Sequence, residues 1–182
     1  MKITFTPLAE SHFPLLLKWL EAPHVKKWWD QDVMYSMDLV KEKFDKHIHG
    51  IALSKNPDNK IYSYIICVNK KMIGYIQAYN AHNFARENGL DLSAISGPVC
   101  GIDLFIGESP FLHKGWGTRI LNEFARQILI SHFDWCLIDP EKDNLTAIKA
   151  FKKAGFKIFE QFQAKSTTWM IKKLSYTSPF HK

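Results

Sequence analysis

The sequence predicts an α/β fold built around one mixed sheet, and three observations carry that expectation. An apolar run at 99–106 is followed by a glycine-bearing loop, an amphipathic helix and a second apolar run at 134–138. Such a strand, helix, strand crossover demands a parallel pair with a right-handed connection. Two further apolar runs, 61–68 and 72–81, flank Asn69-Lys70-Lys71 and read as an antiparallel hairpin. Finally, 182 residues with 46% hydrophobic and 14% aromatic content suit one compact domain over 1–182, with a core large enough to fold alone.

The elements follow in order. A strand at 3–7 leads to a helix at 11–20, with Ser11 as its cap and Pro14 in the first turn, where proline is tolerated. Ser36 caps a second helix at 37–49. The hairpin comes next, then a long segment, 82–98, with two glycines, a proline and little periodicity, as functional loops have. After the strand at 99–106, the crossover helix runs to about residue 131, and Ile120, Leu121, Phe124, Ile128 and Leu129 recur at helical spacing. The strand at 134–138 is followed by a helix at 145–153, capped by Asn144 and ended by Gly155, and a last strand pair lies near 157–163 and 167–173.

Composition narrows the function. Cys67, Cys100 and Cys136 sit inside apolar runs and read as buried free thiols, and three cysteines without a secretion signal or membrane span fit a cytoplasmic protein. The net charge is +6, with lysines crowding the last third at Lys149, Lys152, Lys153, Lys157, Lys165, Lys172 and Lys173. A nucleic acid would suit that field, but no nucleic-acid-binding motif accompanies it, and a polyanionic cofactor would use it equally well. By contrast, Glu87, Asp91, Asp103, Glu108, Asp139, Glu141 and Asp143 outnumber Arg86 and Lys142 in the region that should line an acceptor cleft. That balance suits a cationic small molecule. His47 and His49 are spaced as a metal pair, yet no cysteine or carboxylate cluster of ligand spacing stands near them, and no metal is expected.

The chemistry begins at 111–125, FLHKGWGTRILNEFA. Gly115 and Gly117 let the backbone turn its amides toward a ligand, and the new helix adds its free N–H groups and positive dipole end. A P-loop is excluded because Lys114 precedes the glycines, and a dinucleotide fingerprint because Ile120 stands where its third glycine belongs. Lys114 to Thr118 is left as an anion cradle of another kind.

The order of strand, basic Gly-x-Gly loop, helix and second strand resembles the GNAT superfamily of N-acetyltransferases. The block at 137–156, LIDPEKDNLTAIKAFKKAGF, is similar to the superfamily's other cofactor-side segment. PHVKKWW at 23–29, SYIICVNKKMIGYIQAY at 63–79 and GID at 101–103 extend the likeness to aminoglycoside 6'-N-acetyltransferases, and more distantly to siderophore-type acyltransferases. The resemblance implies a sheet of six to seven strands flanked by about four helices, with a V-shaped splay between two parallel strands. It also implies acetyl-CoA as cofactor, no nucleic-acid or membrane partner, and a monomer or homodimer.

Residue roles follow from the same resemblance. Cofactor contacts fall on Phe105, Ile106, Gly107, His113, Lys114, Gly115, Trp116, Gly117, Thr118, Asn144, Ala147, Phe151 and Lys153, with a strand bulge near Phe105 to Gly107 and its amides polarising the thioester. Acceptor contacts fall on Trp28, Trp29, Tyr79, Asp103 and Asp139; aromatic walls with carboxylates suit a cation. An alkylammonium of pKa about 10 is only about 0.1% neutral at pH 7, so a group that takes its proton is useful, and Asp103 matches the acidic residue of the GID motif. An aspartate between Ile102 and Leu104 is poorly explained by stability, because a buried unpaired charge is costly.

Two positions depart from the aminoglycoside pattern. Phe151 stands where many relatives have a tyrosine beside the sulfur, which leaves water, Tyr79 or Tyr75 to serve the departing thiolate, or the thiolate to leave unaided. Ser96 stands where the aminoglycoside enzymes carry an acidic residue. The expected activity is direct acetyl transfer, in a ternary complex, to a primary amine of a small cationic acceptor such as an aminoglycoside. The alternatives are a siderophore-type or peptide N-acyltransferase, or a CoA-binding sensor without turnover.

Overall fold

The computed structural model describes residues 1–48, 61–83, 92–159 and 166–174. Seven strands form one sheet in the order β1-β2-β3-β4-β5-β7-β6. They are β1 (Ile3–Pro7), β2 (Ile61–Val68), β3 (Lys71–Asn80), β4 (Val99–Ile106), β5 (Trp135–Ile138), β6 (Lys157–Ile158) and β7 (Met170–Lys173). The β2–β3 connection is a two-residue turn. Asn69 and Lys70 both adopt positive φ, 47° and 69°, which matches the twist of the flanking strands.

The helices are α1 (Phe13–Leu20), α2 (Pro23–Lys26), α3 (Met37–Phe44), α4 (Trp116–Phe124) and α5 (Leu145–Lys153). Two expectations about helix starts hold. The Leu39 amide donates to Ser36 Oγ, and the Ala147 amide donates to Asn144 Oδ1. A third fails: Ser11 caps nothing, because the chain enters α1 through a 3₁₀ turn, Glu10–His12, whose entry is pinned by the Ala9 amide donating to His12 Nδ1. The helix expected at 37–49 ends at Phe44 and tightens into a 3₁₀ turn, and α4 passes into a π turn, Ala125–Leu129, rather than running on as α-helix. The last strand pair is shorter than expected, and residues 160–165 lie outside the described set.

The two faces of the sheet bury separate layers. Cys100, Ile102, Leu104 and Ile106 of β4 pack toward α4 and α5, with Ile120, Leu121, Phe124 and Phe151. On the other face, Phe105 joins Phe13, Leu16, Trp19, Val40, Phe44 and Tyr75 under α1 and α3. A smaller cluster of Ala81, Leu92, Val99, Leu137 and Trp169 is a third buried group. Alternation along the strands produces this division, because successive side chains point to opposite faces. All three cysteines are buried and free, as expected.

The central feature is a fork. β4 pairs with β3 over its whole length after Val99, from Asn80 opposite Cys100 to Gly74 opposite Ile106. Its parallel pairing with β5 stops after three rungs, the last joining Gly101 to Leu137. Beyond Gly101, β4 therefore carries one edge that no described strand pairs with.

Candidate active site

Backbone geometry defines that free edge. The Trp135 amide donates to Pro98 O on one side of β4, and the Gly107 amide donates to Ile73 O on the other. Alternation between those points turns the polar groups of Ile102, Leu104 and Ile106 away from β3 and into the fork. Glu108 N also donates to Ile73 O, at 3.1 Å beside 2.8 Å for Gly107, so two amides share one carbonyl as in a bulge. The bulge thus falls at Gly107 and Glu108, the far end of the expected stretch, and it commits the Gly107 amide to β3. The Ile106 amide is the one in that stretch that faces the fork, while Ile106 O accepts from His24 Nε2 at 3.1 Å.

Side chains clamp the end of β4. The Trp19 ring lies so close to Gly107 that a Cβ there would fall 2.1 Å from the ring. Trp19 Nε1 donates to Glu108 Oε1 at 2.9 Å, and Lys18 Nζ donates to the same oxygen at 2.6 Å. These donors hold the Glu108 carboxyl below the usual carboxylate range, Lys18 having the larger effect. Glu108, expected among the acidic groups of the acceptor side, is therefore a clamp between β4 and α1.

The turn into α4 lies where the sequence places it. Gly115, with φ 75°, is the N-cap of α4 and supplies no side chain to the first-turn amides. His113 is also at positive φ, 58°, whereas Lys114 between them is not. Alternation of this kind curls consecutive N–H groups around a concave anion site. A Cβ on Gly115 would meet no atom within 4 Å, so the space over the turn is open. His113, Lys114 and Gly115 are exposed, while Trp116 is buried and carries the Arg119 guanidinium 4.7 Å from its ring. Lys71 Nζ stands 5.5 Å from the Phe111 ring in the same loop. The turn is therefore open, rich in backbone donors and carries the exposed Lys114, features that suit an anion.

Several expected cofactor residues have structural duties. Thr118 Oγ1 donates to Ala150 O at 3.0 Å, joining α4 to α5, which leaves its amide as the group aimed at the cradle. Gly117 packs 3.6 Å from the Ala150 methyl through its would-be Cβ. Asn144 is committed to its cap, and Ala147 is half-buried behind it. Phe151 is buried, tilted against Phe156, and supplies core packing where a phenol was absent from the sequence. Lys153 ends α5 in solvent. Lys172 is not a free surface cation: it donates to Ala154 O and Asn122 Oδ1, and burial lowers its pKa.

On the opposite face of the fork, Tyr79 lies over Gly101. A Cβ on Gly101 would sit 2.4 Å from the phenol ring, so the ring takes the space that any side chain there would need. Asp103 follows two residues later on the same face, half-buried, and its Oδ2 accepts from Gln77 Nε2 at 2.8 Å. Trp29 packs edge-on against Tyr75 and Phe105, and Trp28 lies beneath Lys27 at 4.7 Å. The loop after them is held by Asp30, which accepts from Tyr35 Oη and pairs with Lys43. Gln31 Nε2 reaches Glu141 Oε1 at 3.3 Å, tying that loop to the segment after β5 that carries Asp139. Trp28, Trp29, Tyr79, Asp103 and Asp139 are thus all carried by segments meeting at one mouth of the fork.

One expectation needs correction. Tyr75 cannot serve a thiolate, because it is fully buried and its hydroxyl is engaged by Ser63 and Gln77; burial also pushes the phenol well above its ordinary range. Ser96 is exposed, and its carbonyl accepts from Trp135 Nε1. His47 is buried against Phe44, His49 lies outside the described residues, and no metal-binding cluster occurs among the described residues. Arg86, Glu87, Asp91 and Lys165 also lie outside them. Gln77, His24 and Trp19 were not anticipated. Gln77 had a signal, a polar residue in an apolar strand, the same one that drew attention to Asp103.

Known proteins share this fold. Residues 9–164 match the family model for the acetyltransferase (GNAT) domain. Aminoglycoside N(6')-acetyltransferase type 1 of Klebsiella pneumoniae, and that of Serratia marcescens, are each 26% identical over 157 residues, spanning 85% of this chain and 73% of theirs. Among solved structures, an aminoglycoside acetyltransferase AAC(6')-Ib with coenzyme A and kanamycin superimposes with a TM-score of 0.76 at 24% identity, over 94% of this chain and 95% of that one. A spermidine N-acetyltransferase from Vibrio cholerae does so with 0.67 at 15% identity, over 94% and 95%. The chain belongs to the GNAT acetyltransferase family and is an N-acetyltransferase that uses acetyl-CoA as its donor.

Proposed function

We propose that this enzyme acetylates a primary amine of a small polycationic molecule, with an aminoglycoside as the first acceptor to test, and that Asp103 takes the proton of the attacking amine. The observation that carries the reading is the position of Asp103: a carboxylate on the stretch of β4 that has left β5, on the face opposite the cradle helix. The curated relatives named above are aminoglycoside enzymes, which supports that choice of acceptor. Trp28, Trp29 and Tyr79 offer aromatic surface to a cation, and Asp103 and Asp139 offer charge.

Acetyl-CoA supplies an activated acetyl thioester. The chain's own residues account for the rest. The amides from His113 to Thr118 would hold its diphosphate, and the fork-facing groups of Leu104 would bind its arm in the manner of an added strand. The Ile106 amide is the donor aimed where carbonyl charge develops, and removing one such donor typically costs about 3 kcal/mol of barrier. Asp103 converts the ammonium to a nucleophile in a direct, two-substrate complex.

The test is thiol release from acetyl-CoA with kanamycin-like sugars, hydroxylamines and N-terminal peptides as acceptors, for wild type and Asp103→Asn. Turnover on the sugars, lost in Asp103→Asn with CoA binding retained, supports the reading. Preference for hydroxylamines or peptides moves it to the siderophore-type or peptide class. Tight CoA binding with no turnover on any amine supports a sensor, the reading that Phe151, with no proton for the thiolate, favours.

A further inference from the structure

Gln77 and Asp103 are direct cross-strand partners on β3 and β4, joined by the 2.8 Å bond from Nε2 to Oδ2. The other end of the amide is also taken. Tyr75 Oη donates to Gln77 Oε1 at 2.7 Å, and Ser63 Oγ lies 2.6 Å from Tyr75 Oη. A phenol has one proton, and Tyr75 spends it on Gln77, so Ser63 is the donor in the remaining bond. All three bonds therefore run toward Asp103, and each polarises the next in the same sense. Turned end for end, Gln77 would set its carbonyl oxygen against a carboxylate. The acceptor-only carboxylate of Asp103 therefore fixes which end of the amide it meets, and the Tyr75 hydroxyl holds the other end.

The far end of this chain is closed. Tyr75 is 0% exposed and Ser63 1%. Phe105 stacks on the Tyr75 ring, while Trp29 and Phe44 close it edge-on. With no route to water there, the chain cannot carry a proton away from Asp103; it can orient and polarise. A hydroxyl pair and an amide in an apolar layer are also a poor choice for stability alone, since each polar group must be desolvated to sit there. Among the described residues, Tyr79 stands two positions beyond Gln77 on the same face of β3, and Asp139 lies two residues past the last parallel rung on the other arm of the fork. Behind Tyr75, the helical layer adds the Lys43–Asp30 pair beside Trp29 and His47 behind Phe44.

We infer that Gln77, locked by Tyr75 and Ser63, is the positioning residue for the proton acceptor: it holds Asp103 charged and in one orientation on the free stretch of β4. The inference rests on Asp103 being that acceptor, and the experiment separates the two. Protein labelled with carbon-13 at the aspartate carboxyls is titrated by NMR, with Asp103 assigned from Asp103→Asn. Gln77→Met and Tyr75→Phe keep the shape of the core while removing the donor or its lock. Asp103 is expected to titrate at higher pH in both variants, by about half a unit or more, because a bond to the charged form is lost or loosened. Ser63→Ala leaves the Tyr75 donor in place and shifts it less. On an accepted amine, kcat/KM of Gln77→Met falls about tenfold near neutrality, its acidic limb moves by the same interval, and KM for acetyl-CoA stays put. Unchanged Asp103 titration in both variants, with folding intact by melting, overturns the proposal. Wild-type turnover by Asp103→Asn removes the proton-acceptor reading, and the catalytic role of Gln77 with it, whatever the titration shows.

Discussion

Asp103 and Asp139 hold equivalent places on the two arms of the fork: each lies two residues beyond the last parallel rung, Gly101 with Leu137. Equivalent places do not make equivalent roles. Asp103 sits within β4, bonded to Gln77, whereas Asp139 begins the segment that follows β5. Asp103→Asn is expected to lower kcat by about 100-fold or more, as loss of a general base does. Asp139→Asn is expected to raise acceptor KM with kcat nearly unchanged, as loss of uniform binding does. Steady-state thiol release at varied acceptor concentration distinguishes them, and equal kcat losses would refute the division.

Gly74 and Gly117 should respond oppositely to alanine. A Cβ on Gly74 would lie 2.2 Å from Phe105 O and 3.0 Å from Ile106 Cα, both backbone of the paired strand. Neither can step aside without opening the β3–β4 ladder, so Gly74→Ala should lower the melting midpoint by on the order of 10 °C. Gly117→Ala would make an ordinary contact with Ala150 and should melt within about 2 °C of wild type. Calorimetry of the two variants decides it.

His47 should make stability depend on pH. Burial, then the charges of Lys46 and Lys43, pushes its pKa down to about 4 from the ordinary 6.5. Between those values the unfolded chain takes up a proton that the folded one refuses. The stabilising contribution is therefore complete above pH 6.5 and is lost as pH falls toward 4, up to about 3 kcal/mol in all. His47→Leu should flatten that part of the profile. Urea unfolding at intervals from pH 7 to 4 measures it, and parallel wild-type and variant profiles would refute it.

The clamp at the end of β4 should be asymmetric. Lys18 is 63% exposed, so Lys18→Ala should change stability by no more than about 0.5 kcal/mol. Glu108→Ala leaves the indole N–H of fully buried Trp19 without its acceptor and should cost about 1–2 kcal/mol. Denaturant midpoints of the two variants against wild type give the comparison.

Much of the fold was legible in the residue pattern, for local reasons. Asn69-Lys70 turns the hairpin, Asn144 and Ser36 cap their helices, and Gly115 takes the left-handed conformation that starts α4. Each of these depends on a few neighbouring residues. The Ser11 cap failed because His12, one residue on, competes for the same turn through its ring nitrogen. The π turn after Phe124 has no comparable local signature. Glu108 misled because charge sign says where a carboxylate is welcome but not which partner claims it.

From the sequence by itself came the parallel crossover, the glycine turn at the start of α4 and the suspicion attached to Asp103, because periodicity, glycine conformation and a charge in an apolar strand are properties of short segments. Only the tertiary structure decided that β4 parts from β5 after Gly101, that His24 and Trp19 brace its free end, and that Ser63, Tyr75 and Gln77 line up behind Asp103. Those relationships join residues up to about ninety positions apart. They exist because strand register and helix packing fix distances that no stretch of chain encodes alone.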